Sequence, residues 1–592
     1  VTTQIKDAAA TFWLEAESFK SKGGWVVDQQ FMEQMGSPYL LAHGLGQPVK
    51  DATTTFDASE SETVFVWART YNWTSPWSKK PGPGKFQIII NGATLPNILG
   101  NTGTAWEWQL AGSATLLKGT NHIALHDLTG FDGRCDAIAL TRDKTPPAKR
   151  PEPKPGRPAG DFDIVVCGGG IAGICAALAA ARLGSKVALV NDRPVLGGCN
   201  SSEIRVHLGG RIETGPYVNL GNLIKEFGPL RGGNAQPGDF YEDQKKLDIV
   251  ANEPNITSFP NFRVVQANMK DRTIESIVAQ HIESGTRFVF NAKIFIDCTG
   301  DATLGALAKA DFRMGREAKH EFNEPEAPDK ADDQTMGASV QWYSVQSDKP
   351  EPFPEFDYFD LINEKTCEKV TMGEWTWETG MFQDQIDDFE RIRDYGMLVV
   401  YSNWSILKNR LPDNQAYANR KLGWVAYIAG KRESRRLLGD HILTQNDLVN
   451  RVPYDDPTAA TTWTIDLHYP DPKNTANFPG CEFKSIAVHQ AIHPYPVPYR
   501  CLYSRNTANL MMAGRNISVT HIALGTIRVM RTTGMLGEVA GIAANLCIKH
   551  NANPRDIYND HLDELKAIME IGTGKQNLPN NQTYNMGTCL KP

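Results

Sequence analysis

Three glycines, Gly168, Gly170 and Gly173, stand where a short β-branched run, Ile164 to Cys167, gives way to an Ala-rich segment. Their spacing is G-x-G-x-x-G. The first Gly permits a tight strand-to-helix turn, the second lets backbone approach a pyrophosphate, and the third lets the helix pack on the strand. The spacing predicts a helix from Ile174 to Leu183, stopped at Gly184, whose N-terminal N–H groups and dipole face a diphosphate. A second β run, Lys186 to Val190, completes a β-α-β unit. The ribose-binding acid of such units falls about twenty residues on. Here Asn191 stands there, followed by Asp192. Asn can still bond ribose hydroxyls, but it neither repels nor attracts a 2′-phosphate. A bound dinucleotide is expected, and its identity must come from elsewhere in the chain.

Acid–base candidates cluster in two stretches. "GGCNSSEIRVHLGG", Gly197 to Gly210, holds Cys199, Glu203, Arg205 and His207. "SVTHIALGTIRVMRTTG" holds His521 and Arg528. A His tuned near neutrality can take or give a proton, and an Arg can hold a substrate oxygen or a reduced cofactor's charge. Each has a plainer reading. His207 and His521 equally suit structural loops, Arg528 a diphosphate contact, and Glu203 with Arg205 a local ion pair. Cys199 is a redox thiol, a covalent attachment point, or neither. His489 and His493, in "AVHQAIHPYPVPYR", flank a Pro-rich loop and could line a substrate side. "GKRESRRLLG" reads as a basic helix face that packs or pairs.

These groups need a large scaffold, and 592 residues imply two or three domains. The chain is 41% apolar and 22% charged, with a net charge of −7, which argues against a nucleic-acid surface. No apolar run approaches the roughly 18 residues of a membrane span. The chain opens with Val, so a removed leader and a secreted or periplasmic location are expected, otherwise a cytoplasmic one. The ten Cys form no C-x-x-C pair, which excludes the usual zinc and iron–sulfur patterns and leaves no metal site expected. Charged, Pro-rich residues 143–161 read as a semi-rigid linker. Before it, residues 1–142 carry short β runs such as "ETVFVWART" and "KFQIIING", as in an all-β sandwich. After it, strand and helix patterns alternate as in a doubly wound, Rossmann-like α/β fold: a first part at 162–312, with a β-meander from Phe262 to Ile296, and a return at 504–592. Between them, residues 313–503 read as an inserted α+β substrate-covering region.

Residues 1–142, through "FWLEAESF", "VFVWAR", "INGATL", "GTNHIALHDL" and "CDAIALTRD", resemble the β-sandwich carbohydrate-binding modules of secreted polysaccharide enzymes. That resemblance makes Trp73, Trp77, Trp106 and Trp108 candidates for sugar stacking; a sandwich that only docks on the enzyme is the alternative. Downstream, "RPVLGG", "AKIFIDCTGD", "NLMMAGRNIS" and the segment "TGMLGEVAGIAANLCIKH" together resemble the glutathione-reductase-like FAD proteins. Within them, roughly residues 160 to 570 are most similar to the bacterial family named simply FAD-dependent oxidoreductases. The resemblance implies that Gly168, Gly170 and Gly173 meet the FAD diphosphate and that Asn191 or Asp192 meets ribose. It places Arg193, Gly197, Gly198 and Cys199 beside the cofactor, with backbone near Met269 at the adenine. Thr299, Gly300 and Asp301 would close the groove, and Gly514 and Arg515 would approach the ribityl or diphosphate portion. A helix starting near Gly534, with Met535 and Leu536, would aim its N-terminus at the flavin pyrimidine.

The expected activity is hydride transfer from a carbohydrate or other polyhydroxyl substrate to flavin N5, with His521, Arg528, His207, Arg205 and His489 as candidate catalytic residues. The alternatives are a flavin enzyme on a non-sugar substrate such as a carboxylate, and a glycan-binding protein whose FAD domain is structural. The expected partners are a small molecule or glycan, with no nucleic acid and no membrane span.

Overall fold

The computed structural model describes residues 10–580. Around the glycine turn lies a five-stranded parallel sheet in the order Ile256–Pro260, Val187–Asn191, Ile164–Cys167, Ile294–Asp297, Leu510–Met512. Ile164–Cys167 is central and wholly buried, which is why it reads as an unbroken apolar run. All five strands point the same way, so the turns after Cys167, Asn191, Asp297 and Met512 gather at one edge, where open parallel sheets bind ligands.

The helix after the turn, Ile171–Arg182, starts three residues before the expected position, because Gly170 itself is its N-cap. It packs on the helix Met530–His550, likewise longer at its start than the expected Thr533 to His550. The crossing is close: a Cβ on Gly537 or Gly541 would lie 2.1 Å from Ala172 O or 2.3 Å from Ala176 O. That contact accounts for the small residues on both helices.

The meander is present as Phe262–Lys270, Thr273–His281 and Arg287–Asn291. A fourth strand, Arg157–Asp161, pairs parallel to Arg287–Asn291. The end of the Pro-rich segment is therefore sheet rather than free linker; an edge strand tolerates Pro158 because one side of its backbone needs no partner. "GKRESRRLLG" is not helical. Gly430–Lys431 and Arg436–Leu437 are short strands, and the fully buried Arg436 is paired with Glu317 and Glu433. Extended chain sends alternate residues to opposite sides, which lets these buried charges find separate partners.

Residues 10–142 form two four-stranded antiparallel sheets and a three-stranded one. Phe12, Phe56, Val66, Phe86, Ile88, Leu125 and Leu140 share a core there. The region also holds one helical turn, Met32–Met35. A second core crosses the regions: Phe31, Tyr39, Leu41, Trp73 and Phe131 pack with Val340, Phe356, Phe389 and Tyr401. Ion pairs follow it inward. Arg134 Nη1 donates to Asp394 Oδ2 (2.9 Å), and Arg393 Nη1 donates to Asp28 Oδ2 (2.6 Å), all four side chains at most 1% exposed.

This interface takes up three of the four tryptophans expected to stack on sugar. Trp73 is buried and donates to Phe131 O (2.9 Å), Trp77 stacks on Tyr395, and Trp106 donates to Glu390 Oε2 (3.1 Å). Trp108 packs edge-on against Trp13. Asp28→Ala is expected to cost about 3 kcal/mol in the full-length chain, the order seen when one partner of a buried pair is lost. Removing the Glu62 carboxylate from the exposed Arg142 should cost under about 1 kcal/mol. The denaturation midpoints of the two variants test this ranking.

Among the described residues no helix is long and apolar enough to cross a membrane. Cys135, Cys167, Cys175, Cys298, Cys501 and Cys547 are buried and unpaired, as packing residues are, while Cys589 lies outside the described residues.

Candidate active site

A cavity of about 470 Å³ opens at the carboxyl ends of the parallel strands. Gly168, Gly170, Asn191, Asp192, Arg193, Gly197, Gly198, Cys199, Thr299, Gly300, Asp301, Gly514 and Arg515 all line it. Gly168, at φ +101°, makes the turn: a Cβ there would sit 2.3 Å from Cys298 O. Gly173 does not reach the cavity; its Cβ would strike Gly168 O at 1.8 Å, so its role is helix-on-turn packing. Gly170 differs from both. A Cβ on it would meet only Gly198 Cα, at 3.9 Å, and would otherwise project into open space.

Several expected residues stand elsewhere. The Asn191 amide is tied into its own loop: Oδ1 accepts the Gly169 N–H (2.9 Å), and Nδ2 donates to Arg193 O (3.0 Å) and Val195 O (2.9 Å). It thus braces the turn from a place on the cavity wall. Asp192 receives Arg263 Nη1 (3.0 Å) at the cavity wall. Met269 is outside the wall, because the strand leads away from it after Phe262, Arg263 and Val264. Gly534, Met535 and Leu536 are likewise not on it. The helix begins at Met530, so Val529, Met530 and Thr533 line the cavity, while Gly534 abuts Ile224 and Ile171.

The turn at 299–301 carries a buried charge cluster. Asp301 accepts from Arg515 Nη2 (2.7 Å), Ser434 Oγ (2.7 Å) and Lys431 Nζ (2.8 Å). Burial opposes its ionisation, but Lys431 and Arg515 hold its carboxyl well below the usual range. Burial in turn brings Lys431 down to about 8. Only a glycine at position 300, with φ +76°, lets Arg515 cross the turn, since a Cβ there would lie 2.5 Å from Nη1.

At the wall formed by the inserted region, His468 is the centre. Its Nδ1 lies 2.6 Å from Glu378 Oε2 and its Nε2 lies 2.9 Å from Arg528 Nη2. A guanidinium can only donate, so Nε2 is an acceptor and the ring proton sits on Nδ1, toward Glu378. Arg528 also donates to Asp466 Oδ2 (2.9 Å), and Trp463 Nε1 donates to the same oxygen (3.2 Å). Asp466 Oδ1 and Arg528 Nε are buried without a hydrogen-bond partner. Arg432, Trp375 and His489 complete this wall, and His489 Nδ1 lies 2.8 Å from Thr464 Oγ1.

Of the catalytic candidates, Arg528, His207 and His489 line the cavity, and His521 and Arg205 do not. His521 is 2% exposed, with Nδ1 2.8 Å from Glu433 Oε2, in the buried cluster with Arg436. Arg205 lies over the Trp424 ring at 4.1 Å and donates to Ser202 O (2.7 Å). His207 Nδ1 lies 2.9 Å from Asn234 Oδ1, and burial pushes its pKa down. Sequence reasoning misses Asp466, His468, Glu378 and Arg432. They come from separate segments with no motif; "DLHYP", a short alternating strand carrying Asp466 and His468, is the one local signal. The sequence predicts no metal ligands, yet His550 and His561 stack at 3.8 Å beside Glu564. That group lies one long helix away from the cavity, about 30 Å at 1.5 Å per residue.

A family model described as FAD dependent oxidoreductase matches residues 163–569. The chain belongs to that family. As a FAD-dependent oxidoreductase it is also similar to the tRNA uridine 5-carboxymethylaminomethyl modification enzyme MnmG of Exiguobacterium sibiricum, 31% identical over 167 residues, 25% of this chain and 26% of that protein. The chain thus spans about a quarter of the length of the curated relatives it matches. Among solved structures, the myxobacterial halogenase CndH covers 68% of this chain and 79% of its own at 10% identity, with a TM-score of 0.31. A family 35 carbohydrate-binding module from an environmental isolate covers 24% of this chain and 98% of its own at 20% identity, with a TM-score of 0.17.

The residues present fit FAD. The open side of Gly170 leaves room that any side chain would fill. The helix starting at Ile171 has no side-chain cap at Gly170, so its first N–H groups can meet an anion, while the first turn of the helix starting at Met530 is partly held by the Arg531 N–H donating to Gly209 O (2.8 Å). Arg515 Nε, buried and without a partner, adds a donor.

The site also sets an acid limit. Burial opposes Glu378 ionisation, but Arg432 and His468 bring its carboxyl from the ordinary 4.5 down to about 2. A carboxyl depressed in the folded state stabilises above its unfolded value and loses that contribution as pH falls through the folded value. Glu378→Gln should therefore flatten the fall of melting temperature between pH 4.5 and 2. An unchanged slope would deny Glu378 this part.

Proposed function

We propose that this FAD-dependent oxidoreductase oxidises a neutral polyhydroxyl substrate, a carbohydrate or a compound like it, and that His468, backed by Glu378, takes the hydroxyl proton. The carrying observation is the His468 Nε2 acceptor on the wall of the same cavity as the Gly170 cradle. When bound, FAD supplies the hydride acceptor. Gly168 and Gly170, with the N-terminus of Ile171–Arg182, would hold its diphosphate, and Thr299, Gly300, Gly514 and Arg515 its middle portion. The N-terminus of Met530–His550 would lie against the flavin pyrimidine. Arg528 Nη2 turns from His468 Nε2 to the substrate oxygen and frees that nitrogen's lone pair; His468 then removes the proton as the substrate carbon gives up its hydride, and Glu378 steadies the imidazolium that results. Arg528 and Asp466 orient hydroxyls through their unpartnered Nε and Oδ1. His207 and His489 are left as contacts on either side.

Charge favours a neutral substrate. Six cationic side chains and four carboxylates line the cavity, an excess that suits a diphosphate. On the substrate wall, Arg432 and Arg528 are balanced by Glu378 and Asp466. Trp375 and Trp463 offer flat apolar faces of the kind sugar rings stack on. The net charge of −7 speaks against tRNA as substrate.

We read residues 1–142 as a β-sandwich resembling carbohydrate-binding modules, joined through 143–161 to FAD-binding parts at 162–312 and 504–592 around the inserted region 313–503, in a secreted or periplasmic bacterial enzyme. An anaerobic screen of neutral sugars, polyols and hydroxy acids, followed by flavin absorbance, tests the function. Bleaching by neutral polyhydroxyl compounds is expected. Bleaching by carboxylates alone would replace this reading with a carboxylate oxidoreductase. Glycan binding to the whole chain without bleaching by any compound would favour a structural FAD domain.

A further inference from the structure

We propose that Gln30 and His43, in the N-terminal sheet region, are positioning residues of the flavin site. They hold the segment 425–432, which carries Lys431 and Arg432 onto the cavity wall. His43 Nε2 donates to Val425 O (2.8 Å), and its Nδ1 is held at 2.6 Å by Asp132 Oδ1. Gln30 Nε2 donates to Tyr427 O (2.9 Å), and Gln30 Oε1 accepts from Ala429 N (3.2 Å). Tyr427 O accepts a second bond from Arg393 Nη1 (2.7 Å), itself paired with Asp28 beside Gln30. Backbone groups at alternate positions, 425, 427 and 429, are thus bonded from the N-terminal region. The very next residues are Gly430, Lys431 and Arg432. Gln29 and Gln30 themselves line the cavity beside Ala429.

The grip is local to this segment and acts on the two cations just beyond it. Lys431 reaches Asp301 on the cofactor turn, and Arg432 donates to Ser339 Oγ (2.9 Å) and Trp375 O (2.9 Å) on the substrate wall. A strand advances about 3.3 Å per residue, so slack at Ala429 reaches both cations within two or three residues. Misplacement of about 1 Å in a site of this kind costs far more than the displaced bonds themselves. The inference does not depend on which substrate is oxidised.

The test uses the full-length chain. Gln30→Met keeps bulk but bonds neither Tyr427 nor Ala429. Lys80→Met is the control: Lys80 Nζ bonds Asp357 Oδ2 (2.6 Å) across the same interface, away from the segment. FAD affinity of the apoprotein, the visible absorption band of bound FAD and amide exchange across 425–432 are measured for each. Gln30→Met should bind FAD about tenfold more weakly, on the order of one or two lost hydrogen bonds. It should also shift the band and speed exchange in 425–432, while Lys80→Met does none of these. If Gln30→Met merely lowers the melting temperature, with FAD affinity and band equal to those of Lys80→Met, the proposal fails. Should Gln30→Met not fold, His43→Gln carries the same comparison.

Discussion

His468→Ala is expected to purify with FAD bound and to reduce it about 10²–10⁴-fold more slowly, the usual worth of a positioned acid–base group. Two features make the expected loss kinetic rather than structural. His468 bonds Glu378 and Arg528 and no residue of the glycine turn, so the cradle at Gly170 is untouched. Its partners also keep others: Glu378 still bonds Ser485 Oγ (2.7 Å) and Gly337 N (2.6 Å), and Arg528 still bonds Asp466. Single-turnover reduction across pH 5 to 9 is the measurement. His521→Ala should instead lower stability and leave that rate nearly unchanged, since its ring is spent on Glu433. Equal reduction rates in wild type and His468→Ala would return the search for a base to His207 and His489.

Gly170→Val should abolish FAD binding without unfolding the chain. The backbone at Gly170 has φ −67° and ψ 179°, which any residue adopts, so the substitution brings no backbone strain. Its new methyl groups enter the space left for the diphosphate, with nothing nearer than Gly198 Cα. Gly168→Val is the informative contrast. At φ +101°, with Cys298 O 2.3 Å from the added Cβ, it should destabilise the sheet edge as well as lose FAD. Retention of FAD, measured by mass after denaturation, together with melting of each apoprotein, separates the two outcomes. A Gly170→Val protein that still carries FAD would put the diphosphate elsewhere.

The glycine turn is legible in the sequence because strand, turn and helix are contiguous, and each glycine answers a local demand. Asn191 shows the limit of that logic. The motif marks the position correctly, but whether the side chain faces ribose or its own loop depends on the carbonyls of Arg193 and Val195, which spacing does not encode. The proton-handling wall is harder still. Glu378 and His468 are 90 residues apart, and His468 and Arg528 are 60 apart, so only the folded chain brings them together. His521 stands out by its place before the last long helix, which is real, but it opens helix His521–Ile527 inside the Glu433 cluster, while Arg528, at the helix's other end and about 10 Å along its axis, lines the cavity. The four Trp read as surface because short strands usually carry aromatics outward as well as inward. Nothing in the first 142 residues reveals that a helix about 250 residues on, Phe389–Asn409, covers two of them, Trp77 and Trp106.

The buried pairs Arg134–Asp394 and Arg393–Asp28 also bear on how such a protein can be re-engineered. A module joined by a tether can be cut off and fused to another enzyme as a cassette. Severing this chain near Asp143 would leave an uncovered guanidinium and carboxylate on each piece, Arg134 and Asp28 on one and Arg393 and Asp394 on the other, embedded in aromatic surface made for their counterparts. A working graft would have to carry Phe389–Asn409 with the sheets, or recode Asp28, Arg134, Arg393 and Asp394 together as apolar residues of similar volume.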